Sequence, residues 1–329
     1  MTRLSVLDRS RTRQGEEPAQ ALRNTVALAR EAERLGYHRF WVSEHHGVPG
    51  VAGSAPTVLA AAVAAATTRI RVGTGGVMLP NHRPMVVAEQ FGVLAALFPG
   101  RIDMGLGRSV GFTDGVRRAL GREKEAADDF GAQLAELLGY FDGSQRTHRD
   151  VHARPAEGLR VPAFVLATGA GADLAAEAGL PLVIAAARGE ERMLAAIDRY
   201  RDRFRPSVQA AEPYVVVSGT VAVAGTADRA RELLVPEAWS SAYSRTHGEF
   251  PPLAPAAEVR ARPMSERERA AYEQSLKGHI AGTPEQAVAE LAALVARSGA
   301  DEFLVTTSTY DRTALLDSYR LLAEAVGQA

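Results

Sequence analysis

The stretch "FWVSEHHGVPG", Phe40 to Gly50, sets a carboxylate and two imidazoles, Glu44-His45-His46, directly behind a short apolar run. A histidine titrates near neutral pH, so beside a carboxylate it suits proton transfer or metal binding. Zinc needs ligands that converge, and neighbouring side chains on one strand end point to opposite faces. No metal is therefore expected here. The competing reading is a polar loop making ordinary hydrogen bonds. Asn81-His82 offers a similar choice, and His46 and His82 are candidates for the substrate side or for local bonding only.

Three further places carry residues suited to a flat, anionic ligand. "RVGTGGVMLP" holds Gly73, Gly75 and Gly76 within four residues, and glycines let a planar group lie against bare backbone. "RIDMGLGRSVG" sets Arg108 between small residues, the arrangement of a phosphate clamp. Its glycine spacing does not match the dinucleotide fingerprint G-x-G-x-x-G. "FVLATGAGADLAAEAGLP" runs strand, small-residue turn, helix, with free backbone N–H groups suited to an anion. Leu174 stands where a third fingerprint glycine would be.

All of these motifs follow short apolar runs, which is where a parallel barrel keeps its chemistry. Eight runs read as strands: Leu4–Leu7, Arg39–Val42, Ile70–Thr74, Ile102–Gly105, Phe164–Ala167, Leu182–Ala185, Tyr214–Val223 and Glu302–Thr306. Helical periodicity fills the gaps at Pro18–Leu35, Pro56–Thr67, Pro84–Leu97, Lys124–Phe141, Glu190–Phe204 and Thr283–Ser298. Pro56, Pro84 and Pro284 suit first turns, and Gly36, Gly179 and Gly299 suit helix ends. Strand and helix alternating with long crossovers predict a parallel sheet. Eight repeats favour an α/β fold of the closed (β/α)8 TIM-barrel type over an open sheet. The expectation is a single barrel domain spanning 1–329, interrupted by a polar excursion at Asp142–Val161 and an insertion or lid near 235–279.

Composition narrows the partners. Apolar residues make up 46% and charged residues 23%, enough for a full core, so disorder is not the default. With 38 basic and 39 acidic residues interspersed, no basic footprint for nucleic acid or membrane is present, and a small-molecule partner is favoured. The absence of cysteine excludes disulfides, thiolate metal sites and a cysteine nucleophile. The opening "MTRLSVLDRS" has no apolar signal core, and no run approaches the roughly 18 apolar residues of a membrane span. A cytoplasmic protein is expected.

The stretches "AERLGYHRFWVSEHH", "TTRIRVGTGGVMLPNHRPMVVAEQFGVLAALFPGRIDMGLGRS" and "GTPEQAVAELAALVARSGADEFLVTT" resemble the bacterial luciferase-like flavin monooxygenase family, nearest the branch of aromatic polyketide biosynthesis in secondary metabolism. The resemblance implies a flavoprotein barrel, usually dimeric, that takes reduced FMN (FMNH2) from a separate NAD(P)H:flavin reductase in a two-component system. It implies that oxygen reacts through a C4a-peroxyflavin and oxidises a small organic substrate, an aromatic polyketide or an aldehyde or ketone. By the same resemblance His45 matches the catalytic histidine and Glu44 its partner near the flavin ring. Gly75 and Gly76 match two small residues under the ring, often joined by a cis peptide. Arg108 matches the phosphate clamp, followed by Ser109 and Val110 along the flavin, with Thr168, Gly169, Ala170, Gly171 and Ala172 as a second phosphate loop.

The sequence departs from the family in two respects. Gly107 stands where luciferase has a reactive cysteine, leaving room on the substrate side. The second loop keeps only Thr168 among the hydroxyls of relatives, which implies a loosely held flavin. Alternatives are a non-catalytic flavin-binding barrel, a deazaflavin (F420)-dependent oxidoreductase of the same fold, and a metal-dependent hydrolase using His45, His82 and Asp103. The small-residue faces of Pro56–Thr67 and Pro84–Leu97 are expected to form a homodimer interface.

Overall fold

The computed structural model describes residues 2–111, 113–187 and 189–327. Its strands, in chain order, are β1 (Arg3–Asp8), β2 (Arg39–Val42), β3 (Arg71–Thr74), β4 (Val77–Met78), β5 (Ile102–Gly107), β6 (Ala163–Ala167), β7 (Leu182–Ala185), β8 (Val215–Gly219), β9 (Val221–Val223), β10 (Ile280–Gly282) and β11 (Glu302–Val305). The helices are α1 (Pro18–Arg34), α2 (Pro56–Ala66), α3 (Pro84–Leu97), α4 (Asp114–Ala119), α5 (Phe130–Asp142), α6 (Gly171–Glu177), α7 (Glu190–Arg203), α8 (Ala227–His247), α9 (Ala256–Ala261), α10 (Glu266–Ser275), α11 (Pro284–Ser298) and α12 (Arg312–Ala325).

Helix ends follow the capping rules. α11 starts at a capping box in which the Thr283 hydroxyl accepts from Gln286 N–H while the Gln286 side chain accepts from Thr283 N–H. It stops at Gly299, whose φ of +58° suits glycine; Gly36 and Gly179 are likewise left-handed at +79° and +62°.

The sheet runs β3-β2-β1-β11-β8-β7-β6-β5-β4, and β3 also pairs with β5, so eight strands close into the expected (β/α)8 barrel. The register is parallel, with Val72 opposite Ile102, Leu106 opposite Val165, Leu166 opposite Val183 and Leu4 opposite Phe303. One expected strand is divided. Tyr214–Val223 breaks at Thr220, and β9 leaves the barrel to pair with β10 in a separate two-stranded sheet. The cause lies in its partners: Val221 exchanges both backbone bonds with the Thr307 hydroxyl, and Val223 N–H donates to Ser318 Oγ. Lys124–Phe141 also divides, opening as a 3-10 turn at Lys124–Ala127 before α5 begins.

The chain forms two compact units, one of Trp41–His46 and Ala55–Val216, the other of Met1–Phe40, Gly47–Ser54 and Val217–Ala329. In the first, buried Trp41 packs edge-on against Phe164 with centroids 5.0 Å apart, and its Nε1 donates to Asp103 at 3.2 Å. Arg71 donates to the same carboxylate at 3.0 and 2.6 Å, so a charge inside the barrel is paired. In the second unit Glu302 is fully buried and bonded by Ser5 and Arg39. The stretch expected as an insertion near 235–279 is helical, with its own core of Val235, Trp239, Ala254 and Val259. Arg9 and Arg11 reach Glu237 there at 2.8 and 3.2 Å. Among the described residues, no helix is long and apolar enough to cross a membrane.

Candidate functional site

Every residue singled out for chemistry lies in the unit of Trp41–His46 and Ala55–Val216. Glu44 follows the end of β2 and is fully buried. Its carboxylate accepts from His46 Nε2 at 2.7 Å, His82 Nε2 at 3.0 Å, Asn81 Nδ2 at 3.2 Å and Met78 N–H at 2.9 Å. Burial by itself would raise its carboxyl. The bonds from His46 and His82, the attraction of His82 and the Met78 amide outweigh that and hold it at about 2. Glu44 is thus ionised at neutral pH and can only accept. Both Nε2 atoms must then carry hydrogen when they bond it, which turns each Nδ1 of a neutral ring into the basic nitrogen.

The chain builds this cluster with local devices. A short 3-10 turn, Leu79–Asn81, carries Asn81 inward, and His82 follows as its cap. Arg122 Nη2 donates to the His82 carbonyl at 2.8 Å and ties the loop down. His45 is half-buried, with its Nδ1 3.3 Å from Ser43 Oγ. The two imidazoles on Glu44 are therefore His46 and His82, the pair expected on the substrate side.

After β3 and at Gly105 and Gly107 along β5 the backbone is stripped of side chains. The Gly75–Gly76 peptide is cis, and Gly75 N–H donates to the Val42 carbonyl at 2.8 Å. A methyl group on Gly76 would stand 2.8 Å from the Gly105 carbonyl oxygen, and one on Gly105 would overlap the Thr74 carbonyl oxygen. Gly107 differs, because a methyl group there would meet only Val77 O at 3.9 Å. Its missing side chain leaves open space.

Arg108 leaves the end of β5 and comes to the small-residue turn before α6. A methyl group on Gly171 would lie 4.0 Å from Arg108 Cδ, and β5–β6 pairing sets Gly107 opposite Leu166, two residues before Thr168. The Arg108 side chain is 40% exposed, and its ion pair to the largely exposed Asp128 is long at 3.6 Å. Such a pair is screened by water and leaves the guanidinium available to a stronger anion. Thr168 and Ala170 are exposed, Gly169 half-buried, and Gly171 and Ala172 buried; Ser109 is exposed and Val110 half-buried beside Arg108. The donor set of guanidinium, hydroxyl and loop backbone fits a phosphate, and the bare glycines fit a planar ring.

Asp103 does not join this group. Its carboxylate is taken up by Arg71 and Trp41, so the set His45, His82 and Asp103 proposed for a metal is not assembled. Among the described residues, no group of three or more such side chains is placed to hold a metal ion. Sequence reasoning missed Asn81 and the Met78 amide as partners of Glu44, and Asp128 as the partner of Arg108. The first two act across 37 and 34 residues, a separation that no local pattern reveals.

The profile of the luciferase-like monooxygenase family matches residues 2–302. The Bacillus subtilis (strain 168) protein YvbT is 40% identical over 98% of this chain and 96% of its own length. A luciferase-like monooxygenase of Escherichia coli (strain K12) is 35% identical over 96% of this chain and 95% of its own. The crystal structure of apo-MsnO8 superposes with a TM-score of 0.90 at 33% identity, covering 100% of this chain and 99% of that one. A match that runs through both compact units, with relatives collinear over nearly their whole length, makes this chain a member of the luciferase-like monooxygenase family and an oxidoreductase.

Proposed function

We propose that the protein is an FMN-dependent, two-component monooxygenase that receives reduced FMN from a separate NAD(P)H:flavin reductase in the cytoplasm and oxidises a small organic substrate, such as an aromatic polyketide, aldehyde or ketone. The observation that carries this reading is the meeting of Arg108 with the Thr168–Ala172 turn on the same unit as the glycine floor and the Glu44 cluster. Bound reduced flavin supplies two electrons to O2, so that one oxygen atom enters the substrate and the other leaves as water.

The remaining work belongs to the side chains. Arg108, Thr168 and the backbone of Gly169–Ala172 hold the phosphate, with Ser109 and Val110 alongside. Gly75 and Gly76 let the ring approach bare backbone, and Gly107 leaves space for substrate. Glu44 fixes His46 and His82 with Nε2 inward. His45, its Nδ1 set beside Ser43, moves the proton that oxygen transfer requires. Water must be kept from the reacting atoms, since stray protons divert oxygen to hydrogen peroxide.

The test is anaerobic loading with reduced FMN, then mixing with oxygen while flavin absorbance is followed. A transient distinct from reduced and oxidised flavin supports the reading; direct reoxidation at the free-flavin rate, with substrate present or absent, counts against it. His45→Ala should retain FMN binding yet lower product formed per flavin oxidised by about a hundredfold, the scale of one proton-transfer group. Unchanged yield would remove that role from His45.

The same reading includes a homodimer. Val58 on α2 and Val86, Val93 and Leu97 on α3 are exposed by 69%, 46%, 47% and 65%, and three of the four share one face of α3. A second copy of this chain is the partner proposed for that face.

A further inference from the structure

A cavity of about 350 Å3 lies in the unit of Met1–Phe40, Gly47–Ser54 and Val217–Ala329, between α1, the segment after β1 and the first turns of α12. None of its lining residues belongs to the candidate site described above. Arg13 is 7% exposed, and among the described residues its hydrogen bonds go to carbonyls, through Nε to Tyr310 O at 2.7 Å and Nη1 to Arg11 O at 3.4 Å. Arg312 has its Nε 3.3 Å from Glu16 in an ion pair without hydrogen-bond geometry, and its buried Nη2 has no partner among the described residues. Asn24 accepts from Gln20 through Oδ1, while its buried Nδ2 donates to nothing among the same residues.

Burial pulls the Arg13 guanidinium below its ordinary value, and the charge of Arg312 pulls it further, against the opposing attraction of Glu16 and Asp8. Glu16 pairs with Arg312 and acts on Arg13 as well, Asp8 accepts from Thr25 Oγ1 at 2.5 Å, and Glu31 pairs with Arg34 at 2.9 Å. Arg312 Nη2 and Asn24 Nδ2 nevertheless stay without a hydrogen-bond partner among the described residues, and a buried donor left unpaired is costly. Part of the wall is apolar, with Leu28, Leu315 and Leu316, the last 39% exposed, beside polar Ser10, Thr25 and Ser308.

We propose that this cavity binds a small organic carboxylate, its two oxygens shared between Arg13 and Arg312 with Asn24 Nδ2 donating, and its short hydrocarbon part against Leu28, Leu315 and Leu316. Planar guanidinium groups match a carboxylate bidentately, and the leucines select an organic acid over an inorganic anion. The volume is at the lower end of small-ligand pockets, which limits the occupant to a short chain.

The experiment titrates the full chain with hexanoate by calorimetry, with hexanol and inorganic phosphate as the neutral and inorganic counterparts. Saturable binding of hexanoate at one site is expected, with hexanol and phosphate at least about tenfold weaker, the factor of one lost charge-assisted bond. Arg312→Gln, at a partly exposed position that tolerates change, should weaken hexanoate at least about tenfold, and Asn24→Ala should weaken it less. Hexanoate affinity unchanged in Arg312→Gln, or no saturable hexanoate binding at all, would overturn the proposal. Phosphate binding as tightly as hexanoate would overturn the organic class of the ligand.

Discussion

Glu44 is the residue on which the site turns, and its ionisation has a consequence for stability as well as for chemistry. Its carboxyl falls from an ordinary 4.5 to about 2 in the folded chain. A depressed folded value means that the unfolded chain binds the proton more tightly, so stability rises with pH across the interval. The contribution is fully present above about pH 4.5 and is lost as pH falls toward 2; the interval is worth about 3 kcal/mol. Glu44→Gln keeps the shape, removes the titration and leaves two imidazole donors facing an amide that must itself donate. The denaturation midpoint of the variant should lie below that of the wild type at pH 6, and the gap should close as the pH approaches 2. A gap that stays constant from pH 6 to pH 2 would show that Glu44 is not the group titrating. Of this cluster the sequence revealed the residue types and their place behind a strand, since glutamate and histidine beside an apolar run are visible locally. It did not reveal which histidines Glu44 holds, because His82 reaches it across 38 residues through the loop after β4.

Strand β5 shows how one element serves both fold and site. Gly105 is packed so closely against β3 that any side chain must displace the Thr74 carbonyl, whereas Gly107, two residues on, faces open space. Gly105→Ala is expected to cost several kcal/mol, on the scale of overpacking a core against backbone that cannot move aside, or to prevent folding altogether. Gly107→Ala should leave the melting temperature within about a degree of wild type, consistent with a change within about ±0.5 kcal/mol, while altering FMN or substrate affinity. Equal melting temperatures for the two variants would contradict the packing described for β5. The same contrast explains what was legible at this scale. The eight barrel strands are visible as short apolar runs, and the glycine at a helix end is visible at Gly36, Gly179 and Gly299. The division of Tyr214–Val223 is not, because both halves are equally rich in valine and the break is imposed by Thr307 and Ser318 from far along the chain. The helices of 235–279 are also obscured, since the prolines at 251, 252 and 255 interrupt the apolar pattern whose Val235, Trp239, Ala254 and Val259 meet only in three dimensions.

At the scale of the whole molecule the charges are balanced, and four of the six large apolar side chains exposed among the described residues, Val58, Val86, Val93 and Leu97, lie on α2 and α3. On α3, Val86, Val93 and Leu97 recur at spacings of seven and four, while Val87, Phe91 and Leu94 on the opposite face are buried in the unit. On α2, Val58, Ala62 and Ala65 form a similar exposed row of small and apolar side chains. A helix that is apolar on both faces needs a second burial partner, and small residues allow helices to approach closely. If two copies bring these rows together, one charge placed in the centre of each row meets its own symmetry mate, so the penalty is counted twice in the dimer and not at all in the monomer. Val93→Asp should therefore shift sedimentation at micromolar concentration from dimer to monomer, while the far-ultraviolet circular dichroism of the barrel stays unchanged. Val208→Asp serves as the control, because Val208 is 75% exposed and lies on neither helix. Wild-type protein that sediments only as monomer would remove the dimer, and a dimer that survives Val93→Asp would place its interface elsewhere on the surface.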